Sequence, residues 1–129
     1  MTQPTCLVVD DSAVVRRAAR RMLEALGFAV REAVDGAQAL AACRSDLPDG
    51  VLLDWNMPVM DGLAFLRRAR AEFGPDHPRV VLCTTEGEMA RILEAIEAGA
   101  QEYIMKPFDE DILREKLQQA GLPLAAAAQ

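Results

Sequence analysis

Two adjacent acids, Asp10-Asp11, a third acid, Asp54, a hydroxyl pair, Thr84-Thr85, and a base, Lys106, each close a short aliphatic run in this sequence. If those runs end side by side, their terminal side chains become neighbours although they lie far apart along the chain. Carboxylates packed into one pocket repel one another, and ionising them together is costly unless a cation offsets the charge. An all-oxygen donor set with few protein ligands suits Mg²⁺, which keeps several of its waters. With a divalent cation there, a carboxylate oxygen can act as nucleophile toward phosphorus, because the metal screens it from the incoming phosphoryl oxygens. Lys106 and the Thr84 hydroxyl would then hold the remaining oxygens, since phosphoryl transfer depends on positioning and charge stabilisation.

The elements that must position these groups are legible in the hydropathy. Five aliphatic runs, Cys6–Asp10, Phe28–Glu32, Val51–Asp54, Val80–Cys83 and Tyr103–Met105, alternate with five stretches of helical periodicity. That alternation is the pattern of an α/β fold with a parallel sheet. Leu7-Val8-Val9, Val51-Leu52-Leu53 and Val80-Val81-Leu82 are uninterrupted apolar triplets, as strands covered on both faces require. Val15, Ala19, Met22 and Leu26 recur at helical steps, as do Met89, Ile92, Leu93 and Ile96, which predicts two amphipathic helices packed on the sheet. Ser12, Asp35, Asp61 and Asp109 stand where N-caps are wanted, Gly27 and Gly99 follow helix ends, and a last helix is expected over Glu110–Gln119. In an open parallel sheet the loops after the strands' C-terminal ends gather on one edge, and that rule brings the acids, the threonine and the lysine together.

Composition narrows the possibilities further. With 129 residues and 51% hydrophobic content the chain reads as one domain over 1–129, with a core of about 5–120 and a tail over 121–129. The segment Gly121-Leu122-Pro123, Leu124 and four alanines reads as a helix stop and a frayed end. A net charge of −6 without a basic stripe argues against nucleic-acid binding. No apolar run approaches the roughly 20 residues of a membrane span, and Met1-Thr2-Gln3-Pro4 lacks a basic lead into a signal-peptide core, so no membrane insertion and a cytoplasmic location are expected. Cys6, Cys43 and Cys83 are odd in number and widely spaced, which predicts reduced core thiols rather than a disulfide or zinc site. His77 reads as a solvated loop residue, the methionines as core filler, and Arg67, Arg68 and Arg70 as a solvated helix face. Trp55 is expected to be partly exposed beside Asp54. Alone, Asp-Asp before a helix is an N-cap with a first-turn charge and Lys-Pro is turn chemistry; their joint placement at strand ends makes the site reading.

Asp10-Asp11-Ser12, Asp54-Trp55-Asn56-Met57-Pro58, Met60-Asp61-Gly62, Thr84 and Lys106-Pro107-Phe108 resemble, in order and approximate spacing, the receiver domains of response regulators. The resemblance covers residues 5 to about 120. The stretch from Asp54 to Pro58, with Arg16-Arg17 and with Tyr103 three places before Lys106, resembles the family's single-domain chemotaxis regulators most. It implies a flavodoxin-like, doubly wound (βα)5 fold whose five-stranded parallel sheet runs 2-1-3-4-5. It also implies that Asp54 is the phosphoacceptor, that Asp11, Asp54 and the Asn56 backbone carbonyl bind Mg²⁺, and that Asp10 assists through a water. Thr84 and Lys106 would contact the phosphoryl group, and the Lys106–Pro107 peptide would be cis. Tyr103 would swing inward as Thr84 moves, reshaping the face built by the fourth helix, fifth strand and fifth helix.

Further implications concern lifetime and partners. Asn56 and Glu86 would flank the path of a hydrolytic water and tune dephosphorylation, while Thr85 is larger than the Ala or Gly often found there and would narrow access for phosphodonor and phosphatase. The phosphodonor implied is a histidine kinase or phosphotransfer protein, and the target a downstream protein on the switching face, a flagellar motor switch component in the chemotaxis case. Alternatives are a phosphorelay intermediate or non-motile receiver and, remotely, an aspartyl-nucleophile phosphatase. The haloacid dehalogenase type of phosphatase needs Asp-x-Asp after its first strand, and here Asp10 and Asp11 are adjacent. A dinucleotide-binding domain would need Gly-x-Gly-x-x-Gly at that point, which this sequence does not have.

Overall fold

Leu7-Val8-Val9, Val51-Leu52-Leu53 and Val80-Val81-Leu82 are all buried, and each lies within a strand of one parallel sheet. The computed structural model describes residues 3–85 and 89–124. Strands and helices alternate as β1 (Thr5–Val9), α1 (Ala13–Ala25), β2 (Ala29–Ala33), α2 (Gly36–Ser45), β3 (Gly50–Asp54), α3 (Gly62–Phe73), β4 (Arg79–Thr84), α4 (Met89–Ala98), β5 (Glu102–Met105) and α5 (Glu110–Gln119). The sheet order is β2-β1-β3-β4-β5, as the resemblance implies. Strand bounds differ from the sequence reading by about one residue, because hydrogen bonding and hydropathy mark different ends.

Alternation along each strand divides the core into two layers. Leu7, Val9, Val51, Leu53, Val80 and Leu82 face one way, onto Leu40 of α2, Phe65 and Leu66 of α3, and Ile92 of α4. Cys6, Val8, Leu52, Val81, Cys83 and Ile104 face the other way, onto Leu23 of α1 and Leu113 and Leu117 of α5. All three cysteines are free and buried, and burial pushes the Cys43 thiol up to about 11 and the Cys6 thiol up to about 12. None of the three is a reactive thiolate at neutral pH.

The expected N-caps all form. Ser12, Asp35, Asp61 and Asp109 accept hydrogen bonds from the backbone N–H groups of Val15, Gln38, Ala64 and Ile112. Gly27 and Gly99 take φ values of 99° and 114° just past α1 and α4, a conformation that disfavours residues with a Cβ. Among the described residues no helix is long and apolar enough to cross a membrane.

Several expectations need correction. In α4 only Ile92 of the four apolar positions is buried; Met89, Leu93 and Ile96 are exposed, because α4 covers the sheet near its edge with a narrow arc. Met22, Met57 and Met60 pack only at the margins of the core, while Met89 and Met105 are exposed. Leu122 lies beyond the expected core boundary yet is buried, and a Cβ on Gly50 would come within 2.7 Å of its Cδ1. Arg70 does not join a solvated face. Its guanidinium donates to the carbonyls of Gly99, Gly74 and Pro78 and to Gln101 Oε1, fastening α3 to the loop before β4 and to the loop between α4 and β5. His77 is exposed, as expected.

Candidate functional site

Sheet register explains why distant residues meet. Val9 pairs with Leu53, so Asp10 and Asp54 extend adjacent strands at the same level; Asp54 pairs with Cys83 and Thr84 with Met105, so Thr84 and Lys106 each follow one step beyond. The backbone N–H of Lys106 donates to the Thr84 carbonyl at 2.7 Å, tying the two strand ends together.

Each polar group of Asp10 is engaged. Its N–H donates to Ala33 O at 3.1 Å, its carbonyl accepts from Arg16 Nη1 at 2.8 Å, its Oδ1 from Ser12 N at 2.8 Å, and its Oδ2 from Lys106 Nζ at 3.0 Å. This network explains how a carboxylate that is only 3% exposed can be accommodated. Asp11 is exposed, and Asp54 is half-buried with its Oδ1 accepting from Lys106 Nζ at 3.2 Å. One carboxylate oxygen from each of Asp10, Asp11 and Asp54 lies within 4.8 Å of the other two.

Charges in the pocket are unequally shared. Burial raises the Asp54 pKa, and Asp10's negative charge adds to that, while Lys106 opposes both without overcoming them. For Lys106 burial works against the ammonium, but hydrogen bonds and attraction from Asp10 and Asp54 outweigh it and lift the pKa above the ordinary lysine range. The two directions are compatible, because one cation serves two carboxylates whereas each carboxylate has only part of that cation and a like charge nearby. Three carboxylates against one ammonium leave the pocket net anionic. A hard divalent cation fits that donor set: the ligands are oxygen only, and exposed Asp11 and Asn56 leave room for retained water.

Beyond the acids, Thr84 is buried and its hydroxyl donates to the Thr85 carbonyl at 3.3 Å. The loop after β3 is pinned by two glycines. Gly62 N–H donates to Trp55 O and Gly36 N–H to Met60 O, both at 2.9 Å. A Cβ at Gly62 would lie 2.5 Å from the Asp54 carbonyl oxygen, and one at Gly36 would lie 2.6 Å from that of Met60. Side chains at either position would push this loop, and with it Asp54, out of place.

A family model described as the response regulator receiver domain matches residues 6–118. The chain belongs to that family. It is 40% identical over 113 residues to the chemotaxis protein CheY of Pseudomonas aeruginosa, covering 87% of this chain and 91% of the relative. Among solved structures, CheY4 of Vibrio cholerae superposes with a TM-score of 0.85 at 31% identity, over 92% of this chain and 99% of that one. The receiver domain of NtrX from Brucella abortus gives 0.83 at 32% identity, over 89% of this chain and 96% of that one.

In this receiver the structure brings Asp10, Asp11, Asp54 and Lys106 into one cluster with Thr84 at its edge. Asn56 follows on the exposed loop, and the Lys106–Pro107 peptide is cis, as is His77–Pro78. Glu86 lies outside the described residues. Tyr103 is half-buried, with Lys116 Nζ 4.2 Å from its ring centroid. Trp55 corrects an expectation, since it is only 8% exposed and packs in the layer beneath α2 and α3. Sequence reasoning missed Gly36, whose signal was its place after the N-cap Asp35, and the grip of Arg16 on the Asp10 carbonyl.

Proposed function

We propose that this receiver accepts a phosphoryl group on Asp54 from a phosphohistidine-bearing kinase or phosphotransfer protein, in a Mg²⁺-dependent reaction, and signals by changing its affinity for a partner. The observation that carries this reading is the shared ammonium: Lys106 bridges Asp10 and Asp54 at 3.0 and 3.2 Å inside an acidic oxygen cluster. Asp11, Asp54 and the Asn56 carbonyl would hold the ion, with Asp10 assisting through water. When bound, Mg²⁺ supplies positive charge that lets an anionic nucleophile and an anionic phosphoryl group approach. Asp54 attacks phosphorus, the donor's P–N bond breaks as the P–O bond forms, and the imidazole leaves with a proton.

Lys106 then turns from a carboxylate to a phosphoryl oxygen, and the Thr84 hydroxyl exchanges the Thr85 carbonyl for another. Movement of Thr84 opens space toward which Tyr103 turns, and the surface of α4, β5 and α5 responds. That surface suits a protein partner, because Met89, Leu93 and Ile96 of α4, Met105 of β5 and Ile112 of α5 are exposed apolar side chains. On the donor side, a groove of about 240 Å³ lined by Val14, Val15, Ala18, Met22, Pro107 and Phe108 adjoins Lys106 and offers apolar contact. We read the receiver as a cytoplasmic protein, and the chemotaxis names of its relatives favour chemotaxis, with a flagellar motor switch component as target. Likeness to the NtrX receiver keeps a relay role as the second reading. Binding of the charged protein to phosphotransfer proteins alone would decide for the relay. Asn56 and Glu86 are assigned the tuning of dephosphorylation.

Incubation with acetyl phosphate and Mg²⁺, followed by intact mass measurement, tests the core of this reading. A gain of one phosphoryl group is expected, prevented by EDTA and abolished in Asp54→Asn. Undiminished labelling of Asp54→Asn would refute the acceptor assignment. Turnover of small phosphoesters without lasting protein charging would instead favour the phosphatase alternative.

A further inference from the structure

We propose that Arg16, held by Glu32, is a positioning residue for the acidic corner, fixing the Asp10–Asp11 peptide so that Asp11 and Asp54 can share one Mg²⁺. The inference rests on the function proposed above. The carbonyl of Asp10 belongs to the peptide unit that also carries the Asp11 nitrogen, so the tilt of that plane sets where the Asp11 side chain points. Arg16 Nη1 donates to this carbonyl at 2.8 Å, and Arg16 Nε donates to Glu32 Oε1 at 3.0 Å. Glu32 is held in turn by Arg20, whose Nη1 lies 2.6 Å from Oε2.

On the other side of Asp10, its own N–H donates to Ala33 O. Both anchors therefore trace to the end of β2, through Ala33 directly and through Glu32 by way of the guanidinium. The Arg16 side chain is only 15% exposed and its bond to the Asp10 carbonyl is partly buried, while the Glu32 end of the bridge meets solvent. A planar guanidinium can serve a carboxylate and a carbonyl at once in fixed geometry, which a lysine ammonium on a flexible stem does not reproduce. Outer groups that orient metal ligands typically change affinity by about ten- to a hundredfold when removed.

Simple electrostatics makes the opposite prediction. Arg16 is a cation near an anionic metal site, so deleting its charge without moving Asp11 would tighten Mg²⁺ binding. Positioning requires Arg16→Ala to weaken it, by about tenfold, and Arg16→Lys, which keeps the charge, to weaken it as well. The loss should fall on the Mg²⁺ concentration needed for half-maximal charging by acetyl phosphate rather than on the rate at saturation.

The experiment is calorimetric titration with MgCl₂ of wild type, Arg16→Ala and Arg16→Lys, each checked for folding by circular dichroism. Weaker binding in both variants is the expected result. Unchanged or tighter binding in a folded variant overturns the positioning role while leaving the proposed function intact. Should Arg16→Ala not fold, Arg16→Lys alone decides, because it retains the cation and loses the fork. If wild type takes up no Mg²⁺, the functional reading itself fails and the positioning role falls with it.

Discussion

The Lys106 ammonium donates to Asp54 Oδ1 at 3.2 Å from a strand end 52 residues away in the chain, yet burial and the neighbouring Asp10 charge still raise the Asp54 pKa. A carboxyl whose native pKa exceeds its unfolded value binds a proton more tightly when folded. Stability therefore falls as pH rises from the ordinary carboxylate range through the raised value, and stays lower above it. Asp54→Asn removes this penalty while Lys106 keeps Asp10 as a partner. At pH 7 the variant should melt at a higher temperature than wild type. The advantage should vanish below about pH 4, where the wild-type carboxyl is protonated in both states. Thermal melts across that range check both claims, and a lower melting temperature at pH 7 would contradict them.

Lys106 behaves with the opposite sign. Its native pKa is raised, so its stabilisation is present below the unfolded lysine value of about 10.4 and is lost as pH climbs through the native value. Lys106→Ala leaves the buried Asp10 carboxylate without a cation, at an expected cost of about 2–3 kcal/mol at neutral pH. Mg²⁺ should restore part of this, so its stabilising increment should be larger in the variant than in wild type. Under the proposed function the variant accepts phosphoryl groups only partly and fails to switch. A charged Lys106→Ala protein that binds its partner as wild type does would show the role given to Lys106 to be wrong.

Why the site was legible while other features were not is a matter of which interactions leave a trace in residue type. Asp10, Asp54, Thr84 and Lys106 each end an apolar strand, and the rule for parallel sheets turns four such ends into one location. Alternation and caps gave the elements to within about a residue. Arg70 left no such trace, because it bonds chiefly to carbonyls that every residue possesses, those of Gly99, Gly74 and Pro78. Arg16 was visible only as part of a resemblance for the same reason. The exposed face of α4 escaped notice because periodicity reports which residues are apolar and not how wide an arc the sheet covers.

Leu122 illustrates a further limit, since Gly and Pro on either side read as a stop signal while the leucine between them fills the space above Gly50. It is 5% exposed and belongs to the layer containing Leu113 and Leu117. Leu122→Ala should destabilise by roughly 2–5 kcal/mol, as core leucine truncations do. A urea midpoint unchanged from wild type would place this residue outside the cooperative fold.

Val59 is a β-branched residue at φ 69°, a region that such side chains rarely enter, and the Met60 N–H closes on the Pro58 carbonyl at 2.8 Å around it. Being 86% exposed, its side chain gains little from packing. Val59→Gly should therefore stabilise by about 1 kcal/mol, the relief of backbone strain exceeding the added chain entropy. Chemical denaturation measures this directly. Destabilisation would mean that the side chain contributes contacts outweighing the strain.

Tyr103 is the only tyrosine, so fluorotyrosine incorporation places a single fluorine probe on the residue assigned the switch. Lys116 Nζ lies 4.2 Å from the ring centroid and 3.4 Å from Glu102 Oε1, and this cation over the ring holds Tyr103 against α5. A ring that turns toward Thr84 gives up that contact, worth about 0.5–1 kcal/mol at a partly exposed site. Removing it by Lys116→Ala should raise the inward population about two- to fivefold before any charging, since an equilibrium responds to the difference in interaction between its two states. Fluorine spectra of the two proteins, recorded with and without acetyl phosphate and Mg²⁺, would show the variant displaced toward the charged wild-type position. A fluorine signal that charging does not move in either protein would remove Tyr103 from the switch and leave its contact with Lys116 a packing interaction, because a ring that senses the phosphoryl group must change its surroundings when that group arrives.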